Sequence, residues 1–235
     1  MAKASVWCLT TPKGGAGKTT LAVALASEIV RLGQRVTLID ADPNAPLQVW
    51  YSKGNLPTNI TVVVDHQPDG STIGDLIEAA KATSDFVIVD TEGTNNARAT
   101  FAIGNSDLVL VPMQSSPEDL RHALRAVAYT KQISKMGNRH IPAILVRTRA
   151  GAISDTIERE IDKSLHDTDV EQCQTRLLEK AAFKALLVYG CILSDLPKFS
   201  KIGGVGNAQK NLEDVISGIA AAYQKSRKSN NGVAA

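Results

Sequence analysis

Several kinds of residue are scarce in this chain, and each scarcity excludes a class of protein. Aromatic side chains make up only 4% of the 235 residues, which disfavours an aromatic-rich β-sandwich and favours helices packed closely on an aliphatic sheet. Cysteine occurs only three times, at distant positions, and no pair has the C-x-x-C spacing of a zinc or redox site. We therefore interpret Cys8, Cys173 and Cys191 as reduced, mostly buried thiols of a cytosolic protein.

Long apolar runs are also missing from the chain. The N-terminal segment MAKASVWCLTT lacks the run of about 7 to 15 apolar residues that a signal peptide needs. No stretch reaches the roughly 18 apolar residues of a membrane-spanning helix. The last helical segment is alanine-rich and lacks the bulky apolar anchors of a membrane-surface helix. We therefore expect a cytoplasmic protein that does not bind membranes.

Neither sign of charge is in large excess. The chain has 26 Lys and Arg against 24 Asp and Glu, a net charge of +2. Any nucleic-acid binding must therefore come from local clusters of basic residues. The four histidines, His66, His122, His140 and His166, are scattered and form no H-x-x-x-H pattern. They therefore indicate no catalytic metal site of their own.

Short apolar segments alternate with helical patterns along most of the chain. The predicted strands are 5–11, 35–40, 60–65, 86–90, 108–113 and 143–148, with a further short strand near 190–194. The predicted helices are 18–32, 72–83, 117–136, 154–166, 176–188 and 208–226. This alternation predicts an α/β fold with a doubly wound, mostly parallel sheet and helices on both faces. We expect one domain over residues 1–228 and a disordered tail over 229–235.

The segment TTPKGGAGKTT, residues 10–20, joins the first predicted strand to the first predicted helix. A glycine-rich loop that ends in GKT in this position is typical of a phosphate-binding loop, or P-loop. Its backbone N–H groups can turn around phosphate oxygens at the amino end of the helix. We predict that Lys18 neutralises the β- and γ-phosphates of ATP and that Thr19 holds Mg²⁺. The predicted nucleotide contacts here are Gly14, Gly15, Ala16, Gly17, Lys18, Thr19 and Thr20.

Acidic residues end two of the predicted strands. Asp40 and Asp42 close the second strand, and residues two apart on a strand face the same way. Ligands of parallel sheets bind at this carboxyl edge. Asp90 closes the run FVIVD, the pattern of a Walker B carboxylate that supports Mg²⁺. For each of the three, a plain capping role is the alternative.

A second lysine, Lys13, precedes Lys18 by five residues. It cannot easily fold back onto phosphates that the loop backbone already wraps, but it can reach those of a second subunit docked face to face. The run KGGAGKTT resembles the deviant Walker A motif KGGxGK(S/T)(S/T) of ParA/MinD-type ATPases. The resemblance implies that Lys13 is the signature lysine, which contacts the partner's nucleotide and makes an ATP-dependent homodimer. A solvated loop lysine is the alternative.

Further segments extend the resemblance over about residues 5–193. LIDADPN is similar to the family's D-x-D-P motif, which implies that Asp42 orients or activates the attacking water. Asp40 would contribute near Mg²⁺ through its hydration shell. LVLVPMQ resembles the family's strand ending in V-P-x-Q, where we interpret Pro112 as structural. The next strand ends where the family's adenine pocket begins, so Arg147 and Arg149 are candidates to flank the base, or are ordinary surface arginines.

One matching segment strengthens the resemblance and another departs from it. LLEKAAFKALLVYG is similar to the E-R-x-A-F-x-x-A-x-x-x-G pattern of short ParA proteins, and the order of the motifs resembles that of VirC-type ATPases. After Asp90, however, the family has small residues and proline, whereas this chain has DTEGT. The effect of Glu92 on hydrolysis is therefore left open.

Basic residues concentrate in two clusters. The first lies between residues 121 and 149, where there are seven basic residues and no acidic one; its helical members share an arc of about 120° at about 100° per residue. They are Arg121, Arg125, Lys131 and Lys135. The second cluster is Lys198, Lys201, Lys210, Lys225, Arg227 and Lys228. Either could track DNA phosphates without reading bases, with a merely solvated face as the alternative.

The resemblance implies a ParA-like ATPase. Such a protein dimerises on Mg·ATP, binds DNA nonspecifically as the ATP dimer and releases it on slow hydrolysis, in plasmid or chromosome partition. A centromere-binding or relaxosome partner would stimulate hydrolysis, and DNA binding would associate the protein with the nucleoid. The alternatives are a positioning or conjugative-transfer ATPase acting on protein cargo, a metabolic ATP-using enzyme and a nucleotide-binding switch without hydrolysis.

Overall fold

A six-stranded sheet covered by helices forms the chain in the computed structural model, which describes residues 3–93, 96–153 and 156–231. The strands are β1 (Ser5–Leu9), β2 (Val36–Ala41), β3 (Ile60–Val64), β4 (Phe86–Thr91), β5 (Leu108–Met113) and β6 (Ala143–Arg147). The helices are α1 (Lys18–Arg31), α2 (Pro46–Tyr51), α3 (Ile73–Thr83), α4 (Ala97–Gly104), α5 (Pro117–Met136), α6 (Thr156–His166), α7 (Ala181–Tyr189), α8 (Leu196–Phe199) and α9 (Val205–Asn231).

The strands lie in the order β3-β2-β4-β1-β5-β6, and every neighbouring pair is parallel. The prediction of a doubly wound sheet is therefore confirmed. Crossovers through helices bring all the strands to the same edge at their carboxyl ends. There, β2 and β4 pair in a register that sets Asp40 opposite Asp90. The acidic strand ends that the sequence separates by fifty positions thus become direct neighbours.

Two apolar layers hold the helices on the sheet. One face of the sheet packs against α1, α2, α7, α8 and α9, around fully buried side chains such as Leu21 and Trp50. The other face packs against α3, α4, α5 and α6, with Ile77 and Ile103 at its centre. Because both faces are covered, the strands can be aliphatic throughout rather than alternating. The three cysteines are buried and unpaired, as expected.

The structure corrects the prediction of a strand near 190–194. Gly190 has φ 61° and ends α7, and a Cβ at this position would lie 2.8 Å from the carbonyl oxygen of Trp50. The chain then turns, while Cys191, Ile192 and Leu193 pack into the core. A short buried run therefore looks like a strand in the sequence although no neighbouring strand pairs with it.

The carboxyl-terminal helices also differ from their predicted limits. α7 begins at Ala181 rather than at 176, because the chain before it is extended and forms isolated bridges to Leu145 and Ala150. α9 runs to Asn231, three residues into the segment 229–235 that the sequence predicts as a tail. Residues 232–235 lie outside the described residues. Within the described ranges no helix has both the length and the apolarity to cross a membrane.

Candidate nucleotide-binding site

The loop between β1 and α1 has the backbone that a phosphate site requires. Gly15 and Gly17 have φ of 78° and 91°, values that residues with a Cβ rarely adopt. Gly17 is the N-cap of α1, and no side chain caps this helix end. Its first N–H groups are therefore available to an anion, and the helix dipole favours negative charge there.

Two side chains from neighbouring strands brace this loop. Gln114, just after β5, donates from Nε2 to the carbonyl oxygen of Gly15 at 2.8 Å. Thr148, just after β6, donates from Oγ1 to the carbonyl oxygen of Ala16 at 2.6 Å. A Cβ on Gly17 would lie only 3.2 Å from the same threonine oxygen. Sequence analysis gave neither residue a role, although Gln114 stands in the V-P-x-Q pattern that signals it.

An open cavity of about 630 Å³ lies over the loop. Its walls include the P-loop, Asp42, Glu92 and Arg149. A smaller and more apolar pocket adjoins it beside Gly17 and is lined by Leu177, Leu178 and Phe183. Arg149 lines both cavities, which is the position that a residue flanking a nucleotide base would take. The larger cavity has room for phosphates, whereas the smaller pocket encloses only about 30 Å³.

Lys18 stands at the base of the large cavity and is only 8% exposed. Burial lowers the pKa of its ammonium group, while the carboxylates of Asp90, Asp42 and Glu92 act through space in the opposite direction. A lysine in this position is a partly desolvated cation without a close anionic partner among the described residues. A polyphosphate would supply that partner.

Thr19 and Asp90 meet beside Lys18. The Thr19 hydroxyl donates to Asp90 Oδ2 at 2.6 Å, whereas the buried Oδ1 of Asp90 has no hydrogen-bond partner. Burial raises the pKa of Asp90 to about 7, with the Thr19 hydrogen bond and Lys18 opposing that rise and Asp40 and Asp42 adding to it. The Thr19 hydroxyl and the Asp90 carboxylate, whose Oδ1 is unpartnered among the described residues, are oxygen donors that fit a hard cation such as Mg²⁺.

Asp40 and Asp42 have different surroundings. Asp40 is fully buried, and its Oδ2 accepts hydrogen bonds from the N–H groups of Leu47 at 2.7 Å and Gln48 at 3.0 Å, in the first turn of α2. The capping alternative therefore describes Asp40, and its role near Mg²⁺ stays a prediction. Asp42 instead lines the large cavity, with Oδ1 held by the backbone N–H of Asn44 at 2.8 Å.

Lys13 is held within its own chain. Its Nζ lies 3.0 Å from Oδ1 and 3.1 Å from Oδ2 of Asp119 in the first turn of α5. Asp119 is buried and also accepts a hydrogen bond from the hydroxyl of Ser116. Lys13 itself stays about one-third exposed at the rim of the site. Sequence analysis missed Asp119, which is 106 residues away along the chain.

Arg147 does not flank the nucleotide cavity, which corrects that half of the adenine-pocket prediction. It is the last residue of β6, its side chain is buried, and Nη1 pairs with Asp162 of α6 at 2.5 Å. The chain then turns through Arg149, whose φ is 51°. This turn sends Arg149 toward the cavity while Arg147 stays between the sheet and α6.

The two predicted basic clusters meet at the opposite edge of the sheet. A groove of about 640 Å³ lies at the amino end of β6 and is lined by Lys131 and Lys135 of α5 and by Ser226 of α9. The two sides approach where Ser226 Oγ lies 3.3 Å from His140 Nε2. Arg227 and Lys228 follow Ser226 and are exposed. Other members of the clusters lie elsewhere: Arg121 and Arg125 continue the exposed face of α5, and Lys201 is exposed outside the groove.

Three lysines of the second cluster already have acidic partners. Lys198 pairs with Asp195 at 2.6 Å, Lys210 with Asp214 at 2.8 Å and Lys225 with Glu171 at 3.0 Å. The acidic partners Asp195 and Glu171 precede the second cluster in the sequence. The positive charge of this cluster is therefore smaller than the sequence suggests.

Sequence comparison places the chain among known proteins. A family model described as VirC1 protein matches residues 5–224. The protein ParA of Rhizobium radiobacter is 34% identical over 202 residues, which cover 86% of this chain and 89% of that protein. The protein virC1 of the same species is 29% identical over 192 residues, covering 77% of this chain and 79% of that protein.

Structural comparison agrees on the fold. A Cyanothece McdA variant solved in complex with ATP superimposes with a TM-score of 0.72 at 16% identity, covering 94% of this chain and 98% of that one. Identity at this level establishes the fold alone. The match over residues 5–224 and the ParA relative carry the assignment further. The chain therefore belongs to the VirC1/ParA family.

Proposed function

We propose that this protein is an ATPase that dimerises on binding Mg·ATP, binds DNA nonspecifically as the ATP dimer and hydrolyses ATP slowly. The observation that carries the proposal is the group formed by Lys18, Thr19 and Asp90 at the base of an open cavity. The ATP complex of the McdA variant, which shares the fold, supports the choice of nucleotide. The relative named ParA supports a role in plasmid or chromosome partition.

Each residue of the site has a role in this proposal. The P-loop N–H groups and Lys18 bind and orient the β- and γ-phosphates. Thr19 and Asp90 would hold Mg²⁺, which when bound neutralises developing charge on the phosphates. Asp42, which lines the same cavity, would orient the attacking water. Arg149 and the apolar pocket beside Gly17 receive the base.

Dimerisation would depend on Lys13. In a single chain this lysine pairs with Asp119, and in the ATP dimer it would exchange that partner for the phosphates of the other subunit's nucleotide. Two features favour this exchange: the lysine lies at the rim, and its side chain is partly exposed. A polyphosphate also carries more charge than one carboxylate. ATP would thus be the ligand that joins the two subunits.

DNA binding would use the groove between α5 and α9. Lys131 and Lys135 line it together with the acidic Asp169 and Glu171, and the exposed Arg227 and Lys228 follow Ser226 along α9. Such a surface tracks phosphates without reading bases, so its affinity falls steeply with salt. The rate of ATP hydrolysis would then set how long the dimer stays on DNA. A centromere-binding protein would stimulate that hydrolysis.

A second candidate function follows from the VirC1 match. In that case the protein is a positioning or conjugative-transfer ATPase whose ATP dimer acts on protein cargo such as a relaxosome component. The nucleotide chemistry would be the same. The two functions differ in the groove, because neutralising its lysines would leave the action on protein cargo intact.

The experiment that tests the proposal measures binding of a random-sequence duplex by fluorescence anisotropy at fixed low salt. The duplex is titrated without nucleotide, with ADP, with ATP and with a slowly hydrolysed ATP analogue, and light scattering reports the dimer. We expect binding and dimers only in the ATP states, and neither with Lys13→Ala. Dimers that form with ATP but bind no duplex would favour protein cargo. Dimers unchanged in Lys13→Ala would refute the role of Lys13.

A further inference from the structure

Glu92 occupies a special position at the carboxyl edge of the sheet. β2 and β4 pair with Asp40 opposite Asp90 and Ala41 opposite Thr91. The next positions in the same register are Asp42 and Glu92, immediately beyond the two strands. Both residues line the cavity over the P-loop. Residues that directly follow two adjacent strands therefore bring two carboxylates to the cavity over the P-loop.

The backbone around Glu92 is fixed by two threonine hydroxyls. Thr10 Oγ1 donates to the carbonyl oxygen of Gly93 at 3.0 Å. Thr91 Oγ1 lies within hydrogen-bond distance of two carbonyl oxygens, at 3.0 Å from Leu9 and 3.1 Å from Gly93. These contacts tie the segment to β1 at the base of the P-loop. The backbone from which the Glu92 side chain extends into the cavity is therefore fixed.

The Glu92 side chain has no structural partner that would explain it. It is exposed in the cavity and forms neither a hydrogen bond nor an ion pair with any residue in the described ranges. Its charge acts on Lys18 through space, together with those of Asp42 and Asp90. The carboxylate therefore belongs electrostatically to the phosphate site rather than to a surface ion-pair network.

We propose that Glu92 is a second catalytic carboxylate, which with Asp42 holds the water that attacks the γ-phosphate. This inference rests on the proposed ATPase function and assigns a further residue to it. The water oxygen bonds to the γ-phosphorus while the bond from that phosphorus to the β–γ bridging oxygen breaks. ADP leaves with the electron pair, and the proton of the water passes to Glu92 and then to solvent. Asp42 accepts the second hydrogen bond that keeps the water in line.

The test compares Glu92→Gln, Asp42→Ala and the double variant under saturating Mg·ATP. Glu92→Gln keeps the size of the side chain but removes its basicity, so kcat should fall about 10- to 100-fold. The Kd for a fluorescent N-methylanthraniloyl ATP should stay within about twofold of wild type, because the group acts on the water and not on the nucleotide. The ATP dimer should last correspondingly longer in light scattering.

Two further variants complete the design. In the double variant the loss should be far from multiplicative, because residues that act as a unit on one water are not additive. Glu78→Gln is the matched control, since it removes an exposed carboxylate of α3 that pairs with Lys81 and lies outside the cavity. This control should hydrolyse ATP at the wild-type rate.

The outcomes separate the inference from the proposed function. A wild-type kcat in Glu92→Gln would overturn the inference while leaving the ATPase in place. A gain in ATP affinity with an unchanged or higher kcat would also overturn it, because Glu92 would then merely repel the γ-phosphate. A wild-type protein that binds ATP without hydrolysing it would overturn the proposed function and the inference together.

Discussion

The two edges of the sheet hold charge in opposite ways. At the carboxyl edge three charged groups, Lys18, Asp40 and Asp90, are buried, and hydrogen bonds fix the two carboxylates. At the amino end of β6 the charges are long, exposed side chains on helix surfaces, such as Lys131 and Lys135. A desolvated charge interacts strongly with one ligand, whereas solvated charges act weakly and only as a sum.

This difference indicates what each edge can do. Fixed, desolvated groups cost stability but are already oriented for a reaction, as catalysis requires. Exposed lysines lower the stability of the fold very little, and their flexible side chains can contact phosphates in many positions. They suit a ligand such as duplex DNA whose sequence is not read. This difference between the edges also predicts that substitutions at the carboxyl edge should have larger effects than substitutions in the groove.

The largest effect is expected for Lys18→Ala. Removing the partly buried cation at the P-loop should lower ATP hydrolysis by about 100-fold or more, because no other described cation replaces it beside the phosphates. A steady-state phosphate-release assay measures this loss. Lys135→Ala is the matched control at the other edge and should keep the wild-type rate. Comparable losses of ATP hydrolysis in Lys18→Ala and Lys135→Ala would contradict the assignment of the chemistry to the carboxyl edge.

The next effect concerns stability and pH. Burial raises the pKa of Asp90 from 3.8 to about 7, so the folded, metal-free protein binds more protons than the unfolded chain between these values. The stabilising contribution is complete below pH 3.8 and is lost as the pH rises through about 7. Asp90→Asn should therefore raise the free energy of unfolding by about 1–3 kcal/mol at pH 8.

Urea unfolding of metal-free wild type and Asp90→Asn at several pH values measures this difference. The gain should grow from pH 4 to pH 7 and then stay constant, since only the wild type has the buried carboxyl. The same variant should bind Mg·ATP poorly. A variant that is less stable than wild type at pH 8 would show that the charge is compensated, and the contrast between the edges would then weaken.

A smaller effect is expected for the groove. Lys131→Ala with Lys135→Ala should lower the affinity for duplex DNA about 10-fold at moderate salt, and the slope of log K against log salt should shrink by about 2. ATP hydrolysis should not change. The control pair, Lys198→Ala with Lys210→Ala, removes lysines that already pair with Asp195 and Asp214. Equal losses in the two pairs would indicate that the groove is not the DNA surface.

The smallest effect is expected for Asp119→Asn. The Lys13 side chain of this ion pair is about one-third exposed. Loss of the pair should therefore lower the free energy of unfolding by only about 0.5–1 kcal/mol. Because Lys13 is then freer to reach a partner subunit, half-maximal dimerisation should need about two- to fivefold less ATP. Analytical ultracentrifugation across an ATP titration measures this shift, with Glu118→Gln as the control. Weaker dimerisation would mean that Asp119 positions Lys13 for its partner.

The sequence predicts the parts of the site that are local. Gly14–Thr20 are contiguous, and the glycines, the lysine and the helix start are all visible in one stretch. The carboxyl ends of apolar runs also locate Asp42 and Asp90, because parallel strands end at one edge. The parts that depend on distant pairing could not be predicted. Thr148 contacts Ala16 across 132 residues, and no feature of either segment announces this contact.

Two features of the structure that the sequence did not predict have a similar physical cause. Arg147 and Arg149 look equivalent in the sequence. The φ of 51° at Arg149 turns that residue toward the cavity, whereas Arg147 pairs with Asp162 of α6. The two basic clusters look independent, yet the fold brings the ends of α5 and α9 to one groove. Backbone turns and helix-to-helix contacts are set by the whole fold, so composition and periodicity do not reveal them.

Strand β6 has a consequence for the whole molecule. Its carboxyl end is followed by Thr148, which donates a hydrogen bond to the P-loop. Its amino end is preceded by residues that line the groove between α5 and α9. Only five residues, about 16 Å of extended chain, separate the two. The strand lies at the edge of the sheet and pairs along its length with β5. One short strand therefore joins the residue that braces the P-loop to the residues that border the groove.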